Sequence, residues 1–327
     1  MRIALIKMSS MGDVIHALPV VSDILRAHPD ASIDWVVEPP FAPLARLHGG
    51  VHELLPVALR RWRREMRLPE TRAAFKQARA EMAKRHYDLI LDLQGLLKSA
   101  WVGCWMHGPR AGYSSACARE SLAAWVYQRR YTVDMNTHAI EKMRSLAAQA
   151  LSYTPDGLPV FNLTAPPRSE LAEVLPSLPD QYWVFLHATS RAEKRWPVAE
   201  SVAFLRAAAK RGQPVLLPWG SPAEQAAAHD LVTQADHGDV LPALNLHQCA
   251  SLLGHANGVV GVDTGLTHLS AALEVPTIAL FAATEAWRYG PYWTERAASM
   301  GEAGHWPDAG AVESRLLETI ALASGQR

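Results

Sequence analysis

Cysteine is scarce in this chain, with three residues, Cys104, Cys117 and Cys249, among 327. The number is odd, the spacing is wide and there is no C-x-x-C pair, which argues against a disulfide framework or a structural zinc and makes a reducing cytoplasm the simplest setting. An excess of charge of one sign is missing too. Lys+Arg and Asp+Glu both number 32 and the formal net charge is +0, so nothing supports a general nucleic-acid binder and electrostatic recognition has to be local. No apolar run approaches the roughly 18 residues needed to span a bilayer. The chain passes from Met1 and Arg2 straight into a strand-like run and shows no signal peptide. The expectation is a soluble protein that is still able to work at a membrane surface. The loop "SSMGD" after the first apolar run lacks both G-x-G-x-x-G and G-x-x-x-x-G-K-[ST], and the chain has no H-E-x-x-H, so the usual dinucleotide, phosphate-loop and zinc-protease signatures are absent.

What the chain does have is alternation. Short β-rich runs, "RIALIK", "SIDWVVE", "HELLPVAL" and "YDLILDLQG", are separated by helix-favouring segments such as residues 71–85. The prolines of "TAPPRSELAEVLPSLPD" interrupt the pattern, and the alternation then restarts from "YWVFLHAT" through "GVVGVD" to "PTIALFA". Length points the same way, toward two α/β domains with a cleft between them. We expect two doubly wound, Rossmann-like halves: residues 1–163, a linker over 164–181, and residues 182–327, with the last helix a candidate to pack back on the first half. In such sheets ligands sit at the carboxyl ends of strands.

Four strand ends carry candidate chemistry. At the first, Asp13 follows Gly12, and two readings are open: a helix cap, or a general base. Pro19 predicts a short turn around residues 13–16 and a longer helix from Pro19, while Gly12 is expected to let the chain turn tightly and to leave an open wall. In the second half, Asp263, Thr264 and Gly265 precede an apolar helix containing His268. They are either an ordinary capping pair or an anion site at a helix N-terminus. "HATSRAEKRWP" brings Thr189, Ser190 and Lys194 toward the same crevice, where hydroxyls and a point charge suit phosphate. Glu224 suits a ribose, or simply the first turn of its helix. The run "LRRWRRE" holds Arg60, Arg61, Arg63 and Arg64 around Trp62. It is either a solvated face or a grip for carboxylate and phosphate, with Trp62 against sugar or lipid. His138 and Glu141 read as a structural helix pair.

These segments together resemble the ADP-heptose lipopolysaccharide heptosyltransferases of glycosyltransferase family 9. The resemblance is carried by "K-x-SSMGD-x-x-H-x-LP" at residues 7–19, "RRWRR" at 60–64, "D-x-QG-x-x-KSA" at 92–100, "HAIE" at 138–141, "HATSRAEKRWP" and "VDTGLTHLSAAL", in order over nearly the whole chain. It implies a GT-B fold and an inverting transfer of heptose from ADP-L-glycero-β-D-manno-heptose to the Kdo of Kdo2-lipid A, with no cofactor or metal required. Asp13 would be the base, and Lys194 would stabilise the departing diphosphate. Thr189, Ser190, Lys194, Thr264, Gly265 and His268 would hold the phosphates, Asp263 would lie near the donor sugar and Glu224 near the ribose. Lys7, Gly12 and the four arginines would serve the acceptor, and the basic patch would hold the protein to the cytoplasmic face of an anionic inner membrane. The chain departs from the family at Ala282–Thr284, where a glycine-containing "GPT" turn is expected. Two other activities fit the same architecture: a heptosyltransferase acting on a later core acceptor, and a nucleotide-sugar 2-epimerase. A bilobal binding protein without chemistry is the reading from another class.

Overall fold

The computed structural model describes residues 1–189 and 191–325. The chain divides into two compact units, Met1–Asn162 and Leu163–Arg327. In the first, six strands, β1 (Arg2–Ile6), β2 (Ser32–Val37), β3 (Glu53–Pro56), β4 (Leu89–Asp92), β5 (Arg110–Tyr113) and β6 (Arg129–Tyr131), alternate with helices α1 (Met11–Ala27), α2 (Ala42–Arg46), α3 (Leu59–Glu65), α4 (Pro69–Ala83), α5 (Leu97–Gly103) and α6 (Ala139–Leu151). All pairings are parallel and the strand order is β3-β2-β1-β4-β5-β6. Ile3, Leu5 and Ile6 of β1 and Trp35 of β2 are fully buried, as expected of strands covered on both faces.

The second unit repeats the plan with β7 (Trp183–Leu186), β8 (Val215–Leu217), β9 (Asp239–Val240), β10 (Gly258–Val262), β11 (Thr277–Leu280) and β12 (Ala297–Met300). Its helices are α7 (Val198–Lys210), α8 (Pro222–Ala235), α9 (Leu246–Gly254), α10 (Gly265–Ala272), α11 (Ala286–Tyr289) and α12 (Ala309–Ala323). The order β12-β11-β10-β7-β8-β9 is the first sheet's order over again, and every pairing is parallel. In both sheets the winding reverses between the first and fourth strands, β1 and β4 in one unit, β7 and β10 in the other. The carboxyl ends of those strands open the crevice where such sheets bind ligands.

Three local features differ from the sequence reading. Pro19 does not divide α1, which runs unbroken through it. Proline removes one helical hydrogen bond, but Ile15, Leu18, Val20, Val21 and Ile24 around it are all fully buried, and burial at roughly 1.5–3 kcal/mol per large apolar side chain outweighs that loss. Gly12 lies in the first turn of α1 and is not among the glycines with positive φ, so no tight turn requires it. The segment expected as a linker packs on the second unit: the hydroxyl of Ser251 in α9 donates to the Pro167 carbonyl at 2.9 Å, and Pro166 O lies 3.1 Å from His255 Nε2. Helix α12 packs on α7 and on β10, β11 and β12 of its own unit.

Candidate active site

In the first unit the β1 and β4 loops are tied together. The Met8 amide donates to Gln94 Oε1 at 2.8 Å, and Lys7 Nζ reaches the Leu93 carbonyl at 3.4 Å. Gln94 and Gly95 in turn donate their amides to Asp92 Oδ1 at 2.8 and 3.2 Å, while Tyr127 donates its hydroxyl to Asp92 Oδ2 at 2.7 Å. Gly95 has φ 66°, a left-handed turn that favours glycine. Burial pushes the Asp92 carboxyl up despite these donors.

Asp13 stands on this support at the third position of α1. Its Oδ2 accepts from the Ser10 amide at 3.0 Å and the Ser10 hydroxyl at 2.7 Å, and its Oδ1 lies 3.4 Å from Lys7 Nζ. Capping is therefore real, yet it does not consume the group, since the side chain keeps 40% of its surface exposed. Burial works to raise this carboxyl; Lys7 and the two Ser10 donors together outweigh it and hold the group below the ordinary carboxylate range. It is ionised at neutral pH, the form a general base needs. Lys7 is itself buried, with its ammonium turned to Asp13 and the Leu93 carbonyl.

The arginine run folds as α3. Trp62, expected against sugar or lipid, is buried instead, with its ring 5.5 Å from Phe75 and 6.4 Å from Trp105. One apolar anchor per two turns leaves Arg60, Arg61, Arg63 and Arg64 all exposed. Ala58 has no side chain with which to cap this helix, and Glu38, buried at the end of β2, supplies the acceptor by taking the Arg60 amide at 3.3 Å. Sequence reasoning missed Glu38, because its partner is a backbone amide more than twenty residues away. His138 caps α6, its Nδ1 accepting from the Ile140 amide at 3.1 Å, and Glu141 takes Arg144 at 3.0 Å.

In the second unit Asp263 follows β10, and a polar set closes on it. Lys194 Nζ is 2.5 Å from Oδ2, the Thr284 hydroxyl donates to Oδ2 at 2.6 Å, and His268 Nε2 is 3.2 Å from Oδ1. Burial would raise Asp263, but His268, Lys194 and Thr284 pull it far below the ordinary range. Neither Asp263 nor Thr264 is an ordinary cap. The Thr264 hydroxyl makes no capping bond to α10 and the Asp263 carboxylate is engaged elsewhere, so the helix N-terminus is left without a side-chain cap. Such a terminus attracts anions. Its close seat on β10 depends on Gly261, where a Cβ would collide with the Thr267 hydroxyl that bonds to the Val262 carbonyl at 2.7 Å. Thr189, on the neighbouring strand end, is buried; Ser190 lies outside the described residues. Thr284, in the turn Ala282–Thr284 where a departure from the family is expected, reaches the site.

Glu224 serves its own helix: Oε2 accepts the Gly220 amide at 2.7 Å, and its amide donates to the Ser221 hydroxyl at 3.3 Å. Among the described residues, the group close enough to hold an ion is Asp34, His52 and Glu53. It lies away from the strand carboxyl ends, and its carboxylates are occupied by Arg2 at 3.1 Å, Tyr87 at 2.7 Å and Arg85, which grips Glu53 with both arms at 2.6 Å.

Two parallel six-stranded sheets of the same winding, each with polar side chains at its switch point, give this chain the GT-B fold. The chain matches glycosyltransferase family 9 (heptosyltransferase) over residues 75–316. It is 42% identical over 294 residues to lipopolysaccharide heptosyltransferase 1 of Pseudomonas aeruginosa, covering 89% of this chain and 81% of that one. The solved Escherichia coli heptosyltransferase WaaC with ADP superimposes with a TM-score of 0.86 at 35% identity, over 98% of this chain and 100% of that one. The same enzyme with ADP-2-deoxy-2-fluoro heptose gives 0.82 at 35% identity, over 97% and 99%. The chain belongs to glycosyltransferase family 9.

Proposed function

We propose that the protein transfers L-glycero-D-manno-heptose from ADP-L-glycero-β-D-manno-heptose to the Kdo of Kdo2-lipid A, with inversion, in the assembly of the lipopolysaccharide inner core. The observation that carries this reading is Asp13: an ionised, partly exposed carboxylate at the switch point of the first sheet, fixed by Ser10 and Lys7. As the Kdo hydroxyl oxygen attacks the anomeric carbon, Asp13 takes its proton and the bond from that carbon to the diphosphate oxygen breaks, releasing ADP. A positioned base of this kind accelerates transfer by ~10²–10⁴-fold.

The charge that gathers on the departing diphosphate calls for fixed positive potential. Lys194 and the uncapped N-terminus of α10, with Thr189, Thr264, Gly265 and His268 around them, supply it from the protein, so no step requires a metal or other cofactor. Ser190 is proposed in the same set from its place in the sequence. Asp263 holds Lys194 in place beside the donor sugar, and the Glu224 oxygen not engaged by Gly220 is assigned to the ribose. Arg60, Arg61, Arg63 and Arg64 grip the carboxylate and phosphate groups of the acceptor, and Gly12 leaves room beside Asp13. Lys7 acts on the acceptor through the carboxylate it charges. We place the enzyme at the cytoplasmic face of the inner membrane, with the basic helix turned to anionic lipid; among the described residues no helix is long and apolar enough to cross a membrane.

Support for the substrates comes from the relatives' own ligands and names. The test is incubation with ADP-heptose and Kdo2-lipid A followed by mass analysis of the lipid, with gain of one heptose expected. Transfer only to an already heptosylated core would favour a later acceptor, and no transfer to either would overturn the reading.

A further inference from the structure

Four large apolar side chains of the first unit stand in solvent on two adjoining elements. Leu97 and Trp101, 44% and 47% exposed, are four residues apart on α5 and share one face. Leu122 and Trp125, 56% and 76% exposed, are three apart on the 3-10 helix Ser121–Val126, where that spacing also puts side chains in line. The two elements pack on each other through a small buried cluster, Ala100, Ala123, Ala124 and Tyr127, which turns their other faces outward. Neither pair contains a charged residue; where the two elements meet, the Glu120 carboxylate takes the Leu97 amide at 2.6 Å.

Beside this strip lies a basic groove. The Phe75 ring stacks on Trp101 with centroids 6.0 Å apart and planes 16° apart. Phe75 also lines a groove of about 520 Å³ with Met66, Arg72, Lys76 and Arg79. All three of those cationic residues are exposed. Residues 59–80 contain eight Lys and Arg against two Glu, in a chain whose net charge is +0. Apolar side chains tipped by tryptophan, flanked by a one-sided excess of cations, match a bilayer whose headgroups are anionic: indole rings partition to the headgroup boundary while Arg and Lys meet phosphate.

We infer that the strip formed by Leu97, Trp101, Leu122 and Trp125 is the wedge that enters an anionic lipid surface, with Arg72, Lys76 and Arg79 as its electrostatic flank. This rests on the proposed membrane-borne acceptor and adds the surface that meets the lipid. The alternative occupant, a second copy of this chain, would pair like-charged flanks with each other, and that disfavours it.

The test uses vesicles of phosphatidylcholine alone and of phosphatidylcholine with phosphatidylglycerol, in sedimentation with the full chain. Wild type should sediment with the anionic vesicles only, and brominated acyl chains should quench part of its tryptophan emission. Leu122→Ser/Trp125→Ser should lower vesicle binding at least about tenfold and reduce the quenching, while Trp125→Ser alone should give an intermediate loss. Arg72→Ser/Lys76→Ser/Arg79→Ser should remove the preference for phosphatidylglycerol. Heptosyl transfer to detergent-dispersed Kdo2-lipid A should stay within about twofold of wild type in the double variant, which keeps the test separate from that of the activity. Unchanged sedimentation of the double variant would overturn the wedge, as would a wild-type dimer in analytical ultracentrifugation that the same substitutions dissolve. Failure of transfer in detergent with intact vesicle binding would overturn the proposed activity and leave the wedge standing.

Discussion

The proposed reaction rests on a single carboxylate, Asp13, and its charge depends on neighbours that a sequence motif does not display as partners. Asp13→Asn keeps the two Ser10 bonds within reach of an amide but removes the proton acceptor. Turnover should fall on the order of 10²-fold or more with ADP affinity unchanged, as steady-state kinetics and calorimetry would measure. Lys7 gives a second, sharper prediction. The Asp13 carboxyl lies lower in the folded protein than in the unfolded chain, so its interactions stabilise the fold at neutral pH, and that contribution is lost as pH falls through the folded value. Lys7→Met removes the opposing charge and leaves burial, which raises the group. The acid limb of the pH–rate profile should move to higher pH, and the loss of stability on acidification that Asp13 contributes should shrink or disappear. A profile with an unmoved acid limb would mean that Lys7 does not set the charge of Asp13. The position of Asp13 was legible in the spacing "SSMGD". Its charge state was not, because Lys7 and Ser10 act through distances of a few ångströms that only the folded loop defines.

Secondary-structure elements matter here mainly through their ends. Helix α10 begins without a side-chain cap, and Lys194 approaches that end while paired to Asp263 at 2.5 Å. Lys194→Ala should weaken ADP-heptose binding by roughly tenfold or more and slow cleavage of the bond between the sugar and the departing diphosphate. In a double-mutant cycle with Asp263→Asn the two losses should be strongly non-additive, because the partners share one contact; additive losses would place Lys194 and Asp263 in separate roles. At the other helix of interest, Glu38→Ala strips α3 of the carboxylate that takes the Arg60 amide, so it should raise the apparent Michaelis constant for the acceptor without changing ADP affinity. Most of these elements were readable from runs of β-branched residues and from helical spacing. The misreadings have local causes. Pro19 signals a helix start by its own chemistry, and only the buried surroundings of α1 reverse that signal. Strands β6, "RRY", and β12, "AASM", are too short and too polar or small to register as strands, and they exist because a neighbouring strand offers them a ladder. Trp62 looked like an exposed contact because four arginines surround it in sequence, whereas on a helix they surround an inward anchor.

At the scale of the whole molecule, the same six-stranded winding occurs twice, and each copy places its polar residues at its own switch point. The proposed division of labour was read from the sequence, since every candidate nucleotide group lies beyond residue 180 and the arginine run lies well before it. It predicts separable defects. Replacing Arg60, Arg61, Arg63 and Arg64 together by alanine should leave ADP affinity intact in calorimetry, because none of them belongs to the second unit, and should raise the apparent Michaelis constant for Kdo2-lipid A. All four are exposed, so the substitution costs little packing and the fold should persist. Charge recognition of this kind is screened by salt, and the wild-type preference for the acceptor should weaken as the Debye length shrinks from roughly 10 to 3 Å. The quadruple variant should lose most of that salt dependence, since the charges that produce it are gone. A variant that bound ADP poorly while handling the lipid normally, with an unchanged response to salt, would assign the basic helix to the donor and undo the division between the two halves.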